Sequence, residues 1–488
     1  MTGAERERAV LDQLPTQLYI AGEWRAASGG STFAVEDPST TEPLVEIADA
    51  EVEDAFAALA AAADRQQEWA ATAPRERGEI LRRAYEAIVA QTDDLALLMT
   101  LEMGKALPES RAEIAYAAEF FRWFSEEATR IHGRYMVNTT GKGRILTMRQ
   151  AVGPCVFVTP WNFPTAMGTR KIAPAVAAGC TMVVKPAQQT PLSMLALAKI
   201  LEDAGLPGGV LNVITTRHSG AVIEPLLKDP RTRKLSFTGS TEVGRRLIEQ
   251  SAEQILRVSM ELGGNAPFIV FDDADLGAAV EGAVVAKMRN VGEACTAANR
   301  FHVHESVAEE FAQRLAERMG AMKVGRGTDP DVDVGPLIDD NQRSKVEELV
   351  ADAVARGARA LIGGKRLDAP GYFYEPTVLV DVADDARLLR EEIFGPVAPI
   401  ATFSSEDDAL AAANRTEYGL VSYVYTRDLG RAIRVSEGIE SGMVGLNQGV
   451  VSNPAAPFGG VKQSGFGREG GFEGIGEYLE TKYVALGV

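Results

Sequence analysis

The chain has 488 residues, 46% of them hydrophobic and 24% charged, which suits a globular protein of two or three domains. Its net charge of −18 argues against sequence-independent nucleic-acid binding, which needs a positive field, and is read as a solubility feature. No run approaches the roughly 20 apolar residues of a membrane helix, and four histidines with no CxxC or HExxH predict no metal site.

The opening MTGAERERAV lacks an apolar core region, so no secretory signal is expected. Cys155, Cys180 and Cys295 are too far apart in sequence to form a disulfide framework and suit a reducing cytosol. The first ~45 residues read as irregular structure and short strands. Helical spacing governs residues 51–132, with Pro74 separating two helices and an aromatic stripe marking a third. Residues 141–150 read as extended.

A strand–helix alternation follows. Strands are expected at Cys155–Val158, Thr181–Val184, Val210–Ile214 and Lys234–Phe237, with helices at Lys171–Ala178, Leu192–Asp203 and Thr241–Glu253. This pattern predicts an α/β domain with a parallel sheet, whose ligand crevice lies at the carboxyl ends of the strands. A second α/β unit starts near Asn265 and runs through a helix from Leu276 to Arg289. Pro457–Gly471 is glycine-rich and reads as loop. The tail EYLETKYVAL reads as a strand needing a partner, in this chain or in another subunit. His302 and His304 share a strand face but lack a third ligand.

Cys295 lies in MRNVGEACTAANR, and a helix is expected to begin at about the cysteine, where the positive dipole end would favour the thiolate. Taken alone, the stretch also fits a buried structural cysteine, the commoner fate of a lone one. Thr159-Pro-Trp161-Asn162-Phe163-Pro ends the first parallel strand and offers an amide donor, or is simply a rigid turn. Lys185-Pro186-Ala187 ends the second strand, where a Lys could meet a ribose or phosphate, or only solvent. Phe237-Thr238-Gly239-Ser240 leads into a helix whose N-terminus could face a phosphate, or is an ordinary cap. Glu261, in Met260-Glu261-Leu262-Gly-Gly, has an apolar setting that can raise its pKa and make it a usable base, or is a solvated carboxylate. Glu391-Glu392-Ile-Phe394-Gly-Pro could hold ribose hydroxyls, or is a charged turn. Gly465-Phe-Gly-Arg-Glu-Gly matches GxGxxG by letter only, since it does not sit in a βαβ unit.

In family order, PWNFP, KPA, FTGSTEVG, MELGGN, GEAC, EEIFGP and the PFGG–KQSG–GRE run resemble the aldehyde dehydrogenase superfamily over nearly the full length. The resemblance implies an α/β fold of two parallel-sheet domains plus a small β oligomerisation arm. The expected boundaries are 1–132 and 152–263 for NAD(P) binding, 264–463 for catalysis, and 133–151 with 464–488 for the arm. It implies Cys295 as nucleophile, Glu261 as general base and Asn162 as oxyanion donor. Lys185 and Glu392 would hold the ribose. Trp161, Asn162, Pro186, Ala187, Gln188, Thr238, Gly239, Ser240, Leu262 and Phe394 would complete the cofactor site. Glu293 departs from the Gln of many relatives, and its side chain is expected to turn away from the thiol. Thr296 and Ala297 leave no second thiol beside Cys295, so no local disulfide switch is expected.

Arg170 and Arg289 stand where many relatives that oxidise apolar aldehydes carry aromatics, and two guanidiniums would bind a carboxylate well. Both could instead be salt-bridged. With Ser452 they resemble the pattern of succinate-semialdehyde dehydrogenases, and Phe163 and Phe458 complete the implied substrate site. The expected substrate is therefore a short aldehyde with a distal carboxylate. Rival readings are glutarate semialdehyde, an uncharged aliphatic aldehyde, or a non-catalytic protein on the same fold. Gln188 replaces the acidic residue frequent in NAD-preferring relatives, which favours NADP with NAD also used. A cytoplasmic homodimer or homotetramer is expected, with neither nucleic acid nor membrane as partner.

Overall fold

The computed structural model describes residues 2–487. Five parallel strands form the middle of an eight-stranded sheet, in the order Leu211–Val213, Met182–Lys185, Cys155–Val158, Lys234–Thr238, Arg257–Glu261. Their apolar runs are buried on both faces, so they read as continuous rather than alternating hydrophobic stretches. The chain winds outward from Cys155–Val158 in one direction, then returns past it to Lys234–Thr238. The strand order thus reverses between these two neighbours, and a crevice opens at their carboxyl ends. An antiparallel hairpin, Leu18–Ile20 with Glu23–Arg25, covers one edge, and Gly465–Phe466 pairs antiparallel with the other.

Helices Val52–Ala71, Pro74–Ala90, Thr92–Met103 and Leu107–Glu127 occupy the expected helical region, with Pro74 as first residue of its helix. Phe120, Phe121 and Phe124 of the aromatic stripe are core residues. The N-terminal segment differs from expectation. Gly3–Asp12 is a helix, closed by a capping box between Thr2 and Glu5. Another helix starts earlier than periodicity indicates, at Ala166 rather than Lys171. The cause is tertiary: Glu113 Oε1 accepts from the backbone N–H of both Thr165 and Ala166 at 3.1 Å, satisfying donors at the helix start from a distant element.

A seven-stranded sheet forms the second unit, ordered Arg359–Ile362, Thr377–Val380, Val397–Phe403, Ala298–His304, Ala266–Val270, Val421–Tyr425, Met443–Leu446. All its pairings are parallel except the first. Among the described residues no helix is long and apolar enough to cross a membrane.

A third, antiparallel sheet joins Arg134–Val137, Gly143–Ala151 and Leu479–Gly487. The tail strand therefore finds its partner within the same chain, pairing residue by residue from Leu479↔Ala151 to Gly487↔Gly143. The glycine-rich segment is not wholly loop. It contributes Val461–Lys462 to a two-stranded pair and Gly465–Phe466 to the first sheet.

Candidate active site

Cys295 does not begin a helix. It lies in a turn between the short 3-10 segment Arg289–Gly292 and the strand Ala298–His304. Two features of the chain prevent the expected helix. Asn290, Val291 and Gly292 take φ of 54°, 58° and 78°, a left-handed run that is costly for a β-branched valine. The Glu293 carbonyl, which a helix would bond to an N–H further along, is taken by two side-chain amides, Asn162 Nδ2 at 3.0 Å and Asn290 Nδ2 at 2.9 Å.

These bonds belong to a buried network. Lys105 Nζ donates to Glu113 Oε2 at 2.5 Å and to the Asn162 carbonyl at 2.8 Å, and Asn290 Nδ2 reaches the same carbonyl at 3.0 Å. Glu109 Oε1 accepts from the Asn290 N–H at 2.8 Å. Asn162 is thereby fixed beside the cysteine turn, with one amide hydrogen committed to Glu293 and the other free. The Cys295 N–H likewise has no acceptor among the described residues. Lys105, Glu109, Glu113 and Asn290 carry no sequence motif of their own, and sequence reasoning did not find them.

Glu261 ends the strand Arg257–Glu261 and is 4% exposed. The glycines after it explain how it reaches the cysteine: a Cβ on Gly264 would meet the Cys295 carbonyl oxygen at 2.7 Å, so the two backbones touch there. Gly459 closes over the carboxyl, where a Cβ would come within 2.9 Å of Oε1, and Oε2 is buried without a partner. Burial raises the Glu261 pKa well above the usual range, Glu469 raises it further, and Arg170 pulls it down. Burial pushes the Cys295 thiol up to about 12, Arg170 opposes this, and Glu261 adds to it. The thiol and the carboxyl therefore share one buried neighbourhood, with Arg170 acting on both. The resting sulfur holds its proton, contrary to the dipole expectation, and needs a base when it reacts.

Glu293 is fully buried. Its Oε1 accepts from the Ile338 N–H at 3.1 Å. Burial raises its pKa, which favours the neutral form.

Around the crevice, Lys185 is 5% exposed and has no hydrogen bond or ion pair among the described residues, and burial lowers its pKa to about 8. The Thr238 hydroxyl is buried and unpartnered. Glu392 Oε1 accepts from the Gly264 N–H at 3.0 Å, beside the cysteine turn. The Trp161 and Phe394 rings meet edge to face at 5.4 Å, with Phe394 strained at φ 55°. Ser240 caps the helix Thr241–Ser251 through the Val243 N–H, and Gly244 lets that helix approach Leu262. Pro186 and Ala187 are buried and Gln188 is exposed. An unpaired buried cation, an orphaned hydroxyl and a carboxylate at the switch point fit a nucleotide with ribose hydroxyls.

A cavity of about 550 Å³ opens on the other side of the turn, lined in part by Glu109, Tyr116, Phe163, Arg289 and Ser452. Arg289 donates to Ser452 Oγ at 3.2 Å and lies over the Phe163 ring at 4.8 Å, with no carboxylate in ion-pair range among the described residues. The two arginines do not both converge on the mouth. Arg170 lies deeper, 2% exposed, ion-paired with Glu469 at 2.7 Å and stacked on Phe458 at 3.9 Å. Glu469, in the glycine-rich segment, supplies the carboxylate that sequence reasoning assigned to the substrate. Cys155, Cys180 and Cys295 are all free thiols. Among the described residues no cluster of three His, Cys, Asp or Glu could hold a metal ion.

Comparison with known proteins places this geometry. The profile described as "Aldehyde dehydrogenase family" matches residues 24–484. A succinate-semialdehyde dehydrogenase of Paenarthrobacter nicotinovorans is 60% identical over 443 residues, covering 91% of this chain and 98% of its own. A glutarate-semialdehyde dehydrogenase of Pseudomonas putida is 49% identical over 472 residues, covering 97% and 98%. The crystal structure of an Escherichia coli NADP dependent enzyme superposes with a TM-score of 0.96 at 49% identity, covering 98% of this chain and 99% of that one.

Proposed function

The chain belongs to the aldehyde dehydrogenase family, and from that premise we propose that it oxidises succinate semialdehyde to succinate, with NADP preferred over NAD. One observation carries the substrate assignment. Among the described residues, Arg289 lines the cavity beside the cysteine turn, donates to the Ser452 hydroxyl and makes no ion pair. A guanidinium held in no ion pair is ready to take a carboxylate through paired hydrogen bonds. An aldehyde with a carboxylate at its far end meets both requirements, sulfur at one end and cation at the other. Gln188 places no negative charge against a 2′-phosphate, which supports NADP, as does the similarity to the NADP dependent enzyme of Escherichia coli.

The chemistry follows from the residues. Cys295 attacks the aldehyde carbon, forming a C–S bond as the thiol proton is lost to solvent, which leaves Glu261 free for the later step. The carbonyl oxygen gains charge as the bond forms. The free Asn162 amide hydrogen and the Cys295 N–H are placed to receive that charge, at about 3–4 kcal/mol per donor. A nicotinamide held in the crevice would supply the hydride acceptor through which the Cys295 adduct becomes a thioester. Lys185 and Glu392 would hold its ribose, and Trp161, Thr238, Gly239, Ser240, Leu262 and Phe394 would line the rest. Glu261 then takes a proton from water as that water attacks the thioester, and the carboxylic acid leaves.

Glutarate semialdehyde is the second reading. The relative from Pseudomonas putida bears that name, and one methylene in an apolar cavity discriminates by only about 1–3 kcal/mol. The exposed strand Arg134–Val137, with Tyr135, Met136 and Val137 facing solvent, supports a homodimer or homotetramer. Three free thiols suit a cytoplasmic enzyme. Reduced-nicotinamide absorbance, followed with succinate semialdehyde, glutarate semialdehyde and butanal and with each cofactor, tests the proposal. The highest kcat/KM is expected for succinate semialdehyde with NADP, and equal values for succinate semialdehyde and butanal would refute the assignment.

A further inference from the structure

Tyr116 lies on the helix Leu107–Glu127 and lines the same cavity as Arg289 and Ser452. Its hydroxyl oxygen is buried and makes no hydrogen bond. A buried hydroxyl left unpaired costs about 1–3 kcal/mol, and native structures seldom keep one without a use. Several acceptors near it are already engaged, and Glu109 Oε2 and Asn290 Oδ1, which also belong to the cavity wall, make no bond to it. Glu469 meets Arg170 and Lys171, Glu113 meets Lys105 and the backbone of Thr165 and Ala166, and Ser452 Oγ receives Arg289.

The surroundings are cationic. The Arg289 guanidinium lies 6.0 Å from the Tyr116 ring centre. Burial raises the phenol's pKa while Arg170 and Arg289 lower it, and the net shift is upward, so the hydroxyl keeps its proton and remains a donor. A carboxylate offers about four lone-pair directions, enough for the fork of one arginine and two hydroxyls.

We propose that the Tyr116 hydroxyl donates to the far carboxylate of the substrate, as a third partner beside Arg289 and Ser452, and so sets the preference for aldehydes carrying a distal carboxylate. The proposal rests on the semialdehyde reading above. Phenylalanine keeps the shape of the side chain and removes the hydroxyl alone.

The test compares wild type with Tyr116→Phe on succinate semialdehyde and on butanal, which has the same carbon chain without the carboxylate. The expected result is a KM for succinate semialdehyde raised about tenfold or more, since hydrogen bonds to charged groups are the stronger class. The kcat for that substrate and both constants for butanal should stay within about twofold. A purely structural role would instead shift both substrates together, and either that result or no change would overturn the assignment. A wild type that fails to prefer succinate semialdehyde over butanal removes the semialdehyde reading and this inference with it. A wild type with that preference, retained in Tyr116→Phe, removes Tyr116 alone.

Discussion

Arg170 and Glu469 form an ion pair inside the protein, Nη2 to Oε2 at 2.7 Å, and Lys171 Nζ meets the other carboxylate oxygen at 2.5 Å. Burial opposes the charge on Glu469, but Arg170 and Lys171 outweigh it and hold the carboxyl below its usual range. Removing one member leaves a buried charge underpaired, which is costly. Arg170→Ala should therefore lower stability by about 3 kcal/mol, measured as a reduced denaturation midpoint. An unchanged midpoint would show that the pair is not needed for the fold.

Arg289 behaves differently, because it lines a cavity and has no carboxylate partner. Arg289→Ala should leave the denaturation midpoint close to wild type. It should raise KM for succinate semialdehyde by roughly 10–100-fold, from the loss of a charge-assisted hydrogen bond, and leave butanal unaffected. Parallel losses on both substrates would mean that Arg289 shapes the turn rather than reads the carboxylate.

Glu261 separates the two halves of the reaction. Its raised pKa means that the proton stays on to higher pH than for an ordinary carboxyl, so the base form grows as pH rises. Turnover should rise with pH accordingly. Glu261→Gln, mixed with excess semialdehyde and NADP, should still release up to one equivalent of reduced cofactor per site and then stall, with steady turnover down about 10²–10⁴-fold. Multiple fast turnovers would show that another group activates the water.

Glu109 gives the cavity a pH response of its own. Burial pushes its carboxyl up to about 6, against the Asn290 N–H bond, with Lys105 and Arg289 favouring the charged form and Asp333 opposing it. Its Oε2 is buried and unpartnered in the cavity wall. Above that pKa the ionised carboxylate repels the substrate's own, and below it the repulsion is gone. KM for succinate semialdehyde should fall as pH drops through about 6, and Glu109→Gln should flatten that dependence. A slope that persists in Glu109→Gln would assign the titration to another group.

Much of the α/β framework was legible because buried parallel strands are short apolar runs and the helices between them keep their period. Leu192–Asp203 appears where periodicity places it, and Pro74 divides two helices as its missing N–H requires. The misreadings are places where a tertiary bond overrides a local preference. Ala294, Ala297 and Ala298 favour helix, yet the amides of Asn162 and Asn290 take the Glu293 carbonyl and hold a turn. The tail strand looked unpartnered because Gly143–Ala151 is more than 300 residues away in sequence. Arg170 was expected at the substrate, with a salt bridge as the alternative, and Glu469 of the GRE run supplies that salt bridge from nearly 300 residues away. Glu113 and Tyr116 lie on a helix whose pattern reports packing alone, and Lys105 lies in the short link before it, so only their spatial neighbours disclose their connection to the site.

The central claim is that Cys295 carries the acyl group as a thioester until Glu261 delivers water. Intact-protein and peptide mass spectrometry of Glu261→Gln, quenched after one turnover with succinate semialdehyde and NADP, tests it directly. One succinyl group on the peptide bearing Cys295, removable by hydroxylamine, is the predicted result. Reduced cofactor released with Cys295 unmodified, or with the acyl group on Cys155 or Cys180, would contradict the account.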